Sequence, residues 1–317
     1  MDGSPLIIDV DTGIDDAIAL ALALAVGRQA NILGVTTVAG NVPIDVATRN
    51  TLDVLAYLGR SDVPVHRGAS RPLAAEYLDA THVHGGNGLG GVELEPSDAA
   101  EGALAGPAFI IQSAANHPGE LTLVTLGPLT NLAIALNVRP QITRQIARVV
   151  VMGGAYFVPG NVTPKSEFNV YADPEAAHQV FGADWNDLTL VGLDVTHQTV
   201  LSRSLWDQIP EGKRGLPGLI RGLMERTFIE REMSGFYLHD PLAVAVALEA
   251  ELVSGSTHVV TVDTSSNPEV RGETHAIASD SGPMVAAAVH AQRFVDELSE
   301  VLGLPRANPA AGFEKAE

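Results

Sequence analysis

Hydrophobic residues fall along this chain in two kinds of segment that alternate. Short runs rich in β-branched residues alternate with longer segments rich in Ala and Leu, a pattern typical of strand–helix–strand units in a mostly parallel sheet. The predicted strands are Leu6–Asp9, Ile32–Val38, Leu121–Thr125, Val149–Met152 and Leu188–Leu193. The predicted helices are Asp16–Val26, Ile44–Leu58, Ala103–Ala115, Leu129–Leu136, Pro174–Val180, Leu216–Met233, Pro241–Leu248 and Pro283–Leu302. The pattern therefore predicts an α/β fold with a mostly parallel central sheet flanked by helices.

The last part of the chain adds a different element. His258–Val262 and Glu269–Ala276 lie on either side of an Asn-Pro turn and predict a C-terminal antiparallel hairpin that extends the sheet. The tail 304–317 is rich in Ala, Pro and Gly and is expected to fray. Since no internal repeat divides the 317 residues, and α/β folds of this size are often continuous, we expect one domain over 1–317.

Charge and cysteine content narrow the choice of partners. The chain has 38 Asp and Glu against 19 Lys and Arg, and its net charge of −19 would repel nucleic acid and anionic membrane surfaces. We therefore expect neither as a partner, and a small neutral substrate or a bound cation fits better. Because the chain has no cysteine, it can form no disulfide, thiolate metal site or Cys nucleophile, and any metal must be held by oxygen or imidazole.

Two apolar segments near the N-terminus bear on the location of the protein. Pro5–Val10 has no basic flank and no cleavage-like site, which argues against a signal peptide. Ala17–Val26 is the longest apolar stretch, and it has about half of the roughly 20 residues that a membrane-spanning helix needs. We therefore expect a soluble, cytoplasmic protein.

The loop after the first predicted strand holds four carboxylates, those of Asp9, Asp11, Asp15 and Asp16. Aspartates at the start of a helix cap free N–H groups and complement the helix dipole, which accounts for one or two of them. Four like charges in one turn would repel each other strongly, and a hard cation such as Ca²⁺ or Mg²⁺ cancels that repulsion through carboxylate oxygens. The loop is therefore a candidate metal site.

Two other acidic motifs compete for this loop. An EF-hand would need Gly at its sixth position and Glu at its twelfth, whereas Gly13 is fifth from Asp9 and Leu20 is twelfth, so that interpretation fails. A haloacid-dehalogenase-like phosphatase opens with Asp-x-Asp-x-Thr/Val after its first strand. The chain matches this motif from Asp9 onwards except that Gly13 replaces Thr/Val, so the phosphatase stays open as an alternative.

Further polar clusters follow the later predicted strands, where open α/β sheets bind their ligands. They are Val38–Asn41, Leu126–Asn131, Met152–Gly154, Gly160–Glu175 and Leu238–Pro241. Together with the acidic loop, they resemble the inosine/uridine-preferring nucleoside hydrolase family in order and spacing, from residue 6 to about residue 245. The resemblance implies the Rossmann-like nucleoside hydrolase fold and an N-ribohydrolase, which uses water to cut ribonucleosides into ribose and free nucleobase.

The resemblance also implies a role for each matching residue. The implied ligands of a Ca²⁺ ion are Asp11, Asp16, the backbone carbonyl of Leu126, and Asp240. The implied substrate-binding residues are Asp15, Asn41, Met152, Asn161, Glu167 and Asn169. Asp11 would also act as general base toward the calcium-activated water. His239 would donate a proton to the departing base, and His84, in a Gly-rich segment, would assist it as in pyrimidine-preferring members.

Physical chemistry supports the sugar site independently. A ribose presents hydroxyl groups and no charge, so its recognition needs convergent amide and carboxylate partners, because buried polar groups are costly when unpaired. Glu167 and Asn169 are spaced by two residues and would point the same way from an extended segment.

The sequence leaves open the preferred base, the presence of catalysis and the oligomeric state. The two histidines favour pyrimidine or broad ribonucleoside substrates, while Phe236 and Tyr237 keep purines open. Besides the phosphatase, a nucleoside-binding module without catalysis remains as a competitor. The resemblance further implies a homodimer or homotetramer.

Overall fold

The structure is a computed structural model that describes residues 3–26 and 31–305. Its strands are β1 (Pro5–Val10), β2 (Asn31–Thr37), β3 (Val65–Arg67), β4 (Thr122–Thr125), β5 (Arg148–Met152), β6 (Leu188–Val191), β7 (Val200–Ser202), β8 (Gly235–Tyr237), β9 (Val253–Val262), β10 (Thr274–Ala278) and β11 (Met284–Val289). Its α-helices are α1 (Ile14–Val26), α2 (Ile44–Tyr57), α3 (Thr81–His84), α4 (Gly106–Asn116), α5 (Thr130–Val138), α6 (Ile142–Gln145), α7 (Phe168–Ala172), α8 (Pro174–Phe181), α9 (Leu193–Thr196), α10 (Arg203–Trp206), α11 (Gly215–Leu223), α12 (His239–Leu248) and α13 (Ala291–Val301).

Within the described residues, nine of the strands form one sheet in the order β10-β9-β11-β6-β5-β4-β1-β2-β3. From β11 to β3 every neighbouring pair is parallel, whereas β9 is antiparallel to both β10 and β11. The predicted fold class is therefore confirmed: a mostly parallel central sheet with helices around it and an antiparallel extension. β7 and β8 form a separate antiparallel pair that the sequence did not predict.

The C-terminal prediction was partly wrong. The hairpin exists, but β10 begins at Thr274, and residues 269–273 belong to the connection. The helix predicted for Pro283–Leu302 begins only at Ala291, since Met284–Val289 forms β11. Three alanines in β11 favour a helix locally, but Val285 and Ala286 are buried between β9 and β6, and burial in a sheet overrides a weak propensity.

Two further boundaries differ from prediction. β6 ends at Val191, and Leu193 opens the short helix α9. The helix predicted for Leu216–Met233 is divided, because α11 ends at Leu223 and a π-helical turn follows at Arg226–Glu230. Met224 and Phe228 stay buried through this change of helical pitch, so the core contact is kept.

The core lies on both faces of the sheet. β1 is buried along its whole length, and α1 is buried from Ile14 to Ala23, where its many alanines allow close packing against α11 and α12. No helix in residues 3–26 or 31–305 is long and apolar enough to cross a membrane. The predicted frayed tail falls almost entirely on residues 306–317, which lie outside the described residues.

Parallel pairing brings the carboxyl ends of five strands to one edge of the sheet. Asp9 of β1 is level with Thr36 of β2 and Thr125 of β4, and β5 and β6 end side by side at Met152 and Val191. The segments that follow these strands carry most of the predicted site residues, while His84 follows β3, and His239 and Asp240 follow β8. The fold therefore gathers at one place side chains that are far apart along the chain.

Candidate active site

A cavity of about 430 Å³ opens at this edge of the sheet. All six residues predicted to bind the substrate line it: Asp15, Asn41, Met152, Asn161, Glu167 and Asn169. Leu126, Asp240, His84 and His239 also line it, whereas Asp11 and Asp16 are completely buried and are not among the lining residues. The volume lies within the range of about 300–1,000 Å³ that is usual for small-molecule sites.

Three buried carboxylates form a compact group at one end of the cavity. Ligand atoms of Asp15, Asp16 and Asp240 all lie within 4.8 Å of one another. Asp15 and Asp16 stand in the first turn of α1, and Asp240 stands in the first turn of α12, so two helix N-termini face this group. Of the aspartates predicted to bind the metal, Asp16 and Asp240 belong to this group and Asp11 does not. Asp15, which was predicted to bind the sugar, also belongs to it.

Backbone and amide donors fix the orientation of the acidic loop. Asp16 accepts hydrogen bonds from the N–H groups of Asp11 (3.2 Å) and Gly13 (2.9 Å), and from Asn41 Nδ2 (3.1 Å). Asp11 Oδ2 accepts one from the Asn41 N–H at 2.6 Å. Gly40 leaves the room for this contact, because a Cβ at that position would lie 2.1 Å from Asp11 Oδ2.

A bound cation would stabilise the buried carboxylates of this cluster. Among the described residues, neither Asp11 Oδ1 nor Asp15 Oδ1 has a hydrogen-bond partner, although both are buried. Burial and the neighbouring carboxylates raise the pKa of Asp11 and Asp240 well above its ordinary value, and burial raises the pKa of Asp15 and Asp16 to about 6. No Lys or Arg of the described chain lines the cavity. A donor set made only of oxygens fits a hard divalent ion.

Asp9 does not take part in this cluster. Its Oδ1 accepts hydrogen bonds from Thr36 Oγ1 and from Asn131 Nδ2 (2.7 Å), and Asn131 also donates to the carbonyl of Thr37 at 2.9 Å. Burial raises the pKa of Asp9 to about 7. A phosphatase of the haloacid-dehalogenase type would need Asp9 as its nucleophile and a Lys beside it. Thr36 and Asn131 both engage Asp9 Oδ1, and no Lys of the described residues lines the cavity. This geometry disfavours that alternative.

The sugar-facing segment was predicted to be extended, and that prediction was wrong. Glu167 is the N-cap of α7, and its carboxylate accepts hydrogen bonds from the N–H groups of Gly154 (3.0 Å), Asn169 (3.0 Å) and Val170 (3.2 Å). A carboxylate at this position satisfies N–H groups that the helix leaves free, which favours a turn over a strand. Both Glu167 and Asn169 still line the cavity.

Asn169 connects two strand ends. Its Nδ2 donates to the carbonyl of Leu126 at 2.6 Å and to that of Met152 at 3.2 Å. Asn161 is exposed, and its Oδ1 accepts a hydrogen bond from the Phe168 N–H at 3.0 Å. The two asparagines therefore differ in how firmly they are held.

His84 lies at the end of α3 and lines the cavity. Its Nδ1 accepts a hydrogen bond from the Ile14 N–H at 3.0 Å and lies 3.9 Å from Asp15 Oδ1. Since a backbone N–H can only donate, the neutral His84 carries its proton on Nε2.

His239 opens α12 beside Asp240. Its Nδ1 lies 2.7 Å from Thr196 Oγ1. Burial, with smaller contributions from His197 and His84, lowers the pKa of His239 to about 3, so it is neutral in the free protein at pH 7.

The sequence missed His197, whose ring centroid lies 4.5 Å from that of Tyr237 and 5.7 Å from that of His239. His197 follows β6 after one short helix, and the rule of polar residues beyond strand ends could have found it.

Comparison with known proteins decides the family. The sequence model described as inosine-uridine preferring nucleoside hydrolase matches residues 6–296. The chain belongs to this nucleoside hydrolase family. Its reaction is the hydrolysis of the N-glycosidic bond of ribonucleosides. None of the relatives described below is named as a phosphatase, so that alternative gains no support.

Relatives and solved structures agree with this assignment. The chain is 38% identical over 272 residues to probable uridine nucleosidase 2 of Arabidopsis thaliana, which covers 83% of each protein. It is 39% identical over 267 residues to a pyrimidine-specific ribonucleoside hydrolase of Salmonella arizonae, covering 82% of this chain and 84% of that one. A solved plant nucleoside hydrolase superimposes with a TM-score of 0.88 at 32% identity, covering 95% of this chain and 99% of the other. A purine-preferring ribonucleoside hydrolase of Gardnerella vaginalis gives 0.85 at 33% identity, covering 94% and 98%.

Proposed function

We propose that the cavity binds a ribonucleoside with its ribose toward the carboxylates and its base toward the histidines. The observation that carries this proposal is that the lining of one 430 Å³ cavity combines carboxylates, at Asp15 and Asp240 (the acidic end), with imidazoles, at His84 and His239 (the imidazole end). A neutral, hydroxyl-rich sugar matches the first end, and a flat heterocycle matches the second.

The acidic end would hold a Ca²⁺ ion. We propose Asp11, Asp16, Asp240 and the carbonyl of Leu126 as its ligands, and the 4.8 Å group of carboxylates adds Asp15 as a further candidate. The buried oxygens of Asp11 and Asp15 that lack partners among the described residues support this proposal. When bound, such an ion supplies Lewis-acid activation of the attacking water.

Side chains of the protein would carry out the remaining steps, which are proton transfer and binding of the ribose. Asp11 Oδ1 has no hydrogen-bond partner among the described residues, so it is available to take a proton from water as general base. Asp15, Asn41, Asn161, Glu167 and Asn169 would hold the ribose hydroxyls, with Met152 against the sugar. Positive charge that develops on the ribosyl group would lie next to Asp15 and Glu167, so these carboxylates favour the transition state over the bound substrate.

His239 would donate a proton to the departing base, with His84 assisting. A pKa of about 3 leaves His239 neutral before the reaction, so the proton that it delivers must first be taken up from solvent. Negative charge that develops on the leaving base favours this uptake, because it stabilises the imidazolium and raises its pKa. The Nε2–H of His84 would donate a hydrogen bond to the same base, because Nδ1 is engaged by Ile14.

We propose pyrimidine ribonucleosides as the preferred substrates, with broader use of ribonucleosides as the alternative. The two imidazoles at the base end support this preference, and so do the names of the uridine nucleosidase and the pyrimidine-specific hydrolase that the chain resembles. Phe236 and Tyr237 in the lining leave space for a stacked purine, as the purine-preferring structural relative suggests.

A substrate panel tests this function. The rate of free-base release would be measured for uridine, cytidine, inosine, adenosine and nicotinamide riboside, each with and without a chelator, with p-nitrophenyl phosphate as a phosphatase control. We expect release from uridine and cytidine to exceed release from the purines, and to stop when the chelator removes the metal. Phosphate release without base release would overturn the proposal, and binding without release would indicate a module that has lost catalysis.

Three broader expectations remain proposals. We propose that residues 1–317 act as one domain, that the chain forms a homodimer or homotetramer, and that it works in the cytoplasm. The family resemblance supports the oligomer, and sedimentation of the purified chain would measure it.

A further inference from the structure

The imidazole of His239 contacts the hydroxyl of a buried threonine. Its Nδ1 lies 2.7 Å from the hydroxyl of Thr196, the last residue of α9, which is 0% exposed. An imidazole can flip about its second side-chain torsion, which exchanges ring nitrogens for ring carbons at nearly constant shape. A single hydrogen bond at Nδ1 is sufficient to choose one of the two orientations.

The backbone brings these two residues together independently of the side-chain bond. The N–H of Leu238, just before His239, donates to the carbonyl of Thr199 at 2.9 Å. Immediately beyond, Val200 of β7 pairs with Tyr237 of β8. Removal of the Thr196 hydroxyl alone should therefore leave both segments in place and change only what the ring of His239 meets.

A hydroxyl suits this position better than a carbonyl or a carboxylate would. Thr196 Oγ1 can donate to Nδ1 when the imidazole is neutral and accept from Nδ1–H when it is protonated, so the contact survives either state. Which ring nitrogen is free for chemistry is set by the hydrogen bond of the other nitrogen. With Nδ1 bonded to Thr196, Nε2 remains for the cavity that His239 lines.

We propose that Thr196 is a positioning residue that fixes the ring of His239 with Nε2 toward the leaving base. This inference rests on the proposed role of His239 in leaving-group departure. Thr196 itself does not line the cavity. It acts through the imidazole, so its loss should matter only for substrates whose base needs help to depart.

Thr196→Val tests the proposal, since it removes the hydroxyl at nearly constant shape. We expect about a tenfold loss of kcat on uridine, the effect of one hydrogen bond, with kcat on p-nitrophenyl riboside and KM on both substrates nearly unchanged. Thr196→Ser keeps a hydroxyl and should recover most of the uridine rate. Thr196→Ala gives a second measurement of the same ratio if the valine variant folds poorly.

Thr199→Val is the matched control. Thr199 is also a 0% exposed threonine three residues away, but its hydroxyl donates to the backbone carbonyls of Thr196 (3.0 Å) and Leu238 (3.5 Å) and not to an imidazole. We expect it to lower the melting temperature without changing the ratio of the two substrate rates. Nitrogen NMR of the imidazoles, assigned with His239→Gln, should show that the Nδ1 signal of His239 shifts in Thr196→Val and not in Thr199→Val.

The outcomes separate this inference from the function on which it rests. If His239→Ala discriminates between the two substrates and Thr196→Val does not, the positioning role is overturned and the role of His239 stands. Equal losses on both substrates in Thr196→Val, or the same discrimination in Thr199→Val, would also overturn it. If His239→Ala itself fails to discriminate, the proposed proton donation fails first, and the role of Thr196 fails with it.

Discussion

The two ends of the cavity are built in different ways. At the acidic end, Asp11 and Asp16 are held by backbone N–H groups of their own loop and by both donors of Asn41, in a region with almost no exposed surface. At the imidazole end, His239 is only partly buried, and its Nδ1 is held by one hydroxyl, while His84 is buried and its Nδ1 is held by one backbone N–H.

This difference in construction indicates a different role for each end of the cavity. Carboxylates fixed by short local contacts cannot relax away from one another, so a bound cation meets a preorganised site with little rearrangement. The imidazoles of His84 and His239 are each held through Nδ1, and Nε2 is the nitrogen proposed to form a hydrogen bond to the base. We therefore expect substitutions at the acidic end to remove activity generally, and substitutions at the imidazole end to change which substrates are used.

Asp11→Asn should give the largest effect. The variant keeps the shape of the side chain but removes a proposed general base and a proposed metal ligand together, so we expect turnover on every ribonucleoside to fall by on the order of a thousandfold or more. Steady-state rates and calorimetric Ca²⁺ binding would measure both losses. Asp62→Asn is a control at an exposed aspartate that pairs with Arg60. Near-normal hydrolysis by Asp11→Asn would refute its role.

His239→Ala should give a smaller and more selective effect. Loss of the proton donor should reduce kcat on uridine by about a hundredfold, within the usual range for general acid catalysis. An activated p-nitrophenyl riboside needs no proton on its leaving group and should be hydrolysed nearly as fast as by the unaltered protein. An equal loss on both substrates would argue against proton donation and would remove the contrast between the two ends.

The smallest of these effects should be on stability, which metal removal should lower in a pH-dependent way. Burial raises the pKa of Asp15 and Asp16 from 3.8 to about 6, so the folded metal-free protein binds protons more tightly than the unfolded chain. The stability that these groups contribute is present below the unfolded value and is lost as the pH rises through the folded value. We expect the melting temperature of chelated protein to fall between about pH 4 and pH 8, and Ca²⁺ to restore it mainly at the upper end.

Asp16→Asn supplies the control for that measurement. It removes one of the cluster's carboxyl groups whose pKa is raised, so the melting temperature of the metal-free protein should depend less on pH. Equal stability of the chelated protein at about pH 8 and at about pH 4 would show that burial does not raise the pKa of these carboxyl groups.

The parallel part of the fold was predictable because its signals are local. The apolar runs of β1, β4 and β5 are short, β-branched and bounded by polar turns, and a strand that is buried on both faces needs little more to be recognised. β11 was not predictable in the same way. Its Met-Val-Ala-Ala-Ala-Val sequence suits a helix, and only its place between β9 and β6 makes it a strand.

The site shows the same division. The positions that line the cavity were predicted well, since each follows a strand end or matches a family motif. Their local geometry was not: Glu167 caps a helix where an extended segment was expected, and Asp15, rather than Asp11, completes the 4.8 Å carboxylate group. His197 carried only the general signal of a polar residue beyond a strand end, because its contacts are with Tyr237 and His239, which come 40 and 42 residues later.

Gly40 shows how a residue without a side chain can limit the protein's future variation. Its backbone passes so close to the Asp11 carboxylate that even one methyl group would displace the carboxylate or the loop. In a saturation library this position should tolerate no replacement, although glycine has no reactive group to lose. A search for inactivating changes would therefore mark Gly40 as strongly as the acidic residues, for reasons of space alone.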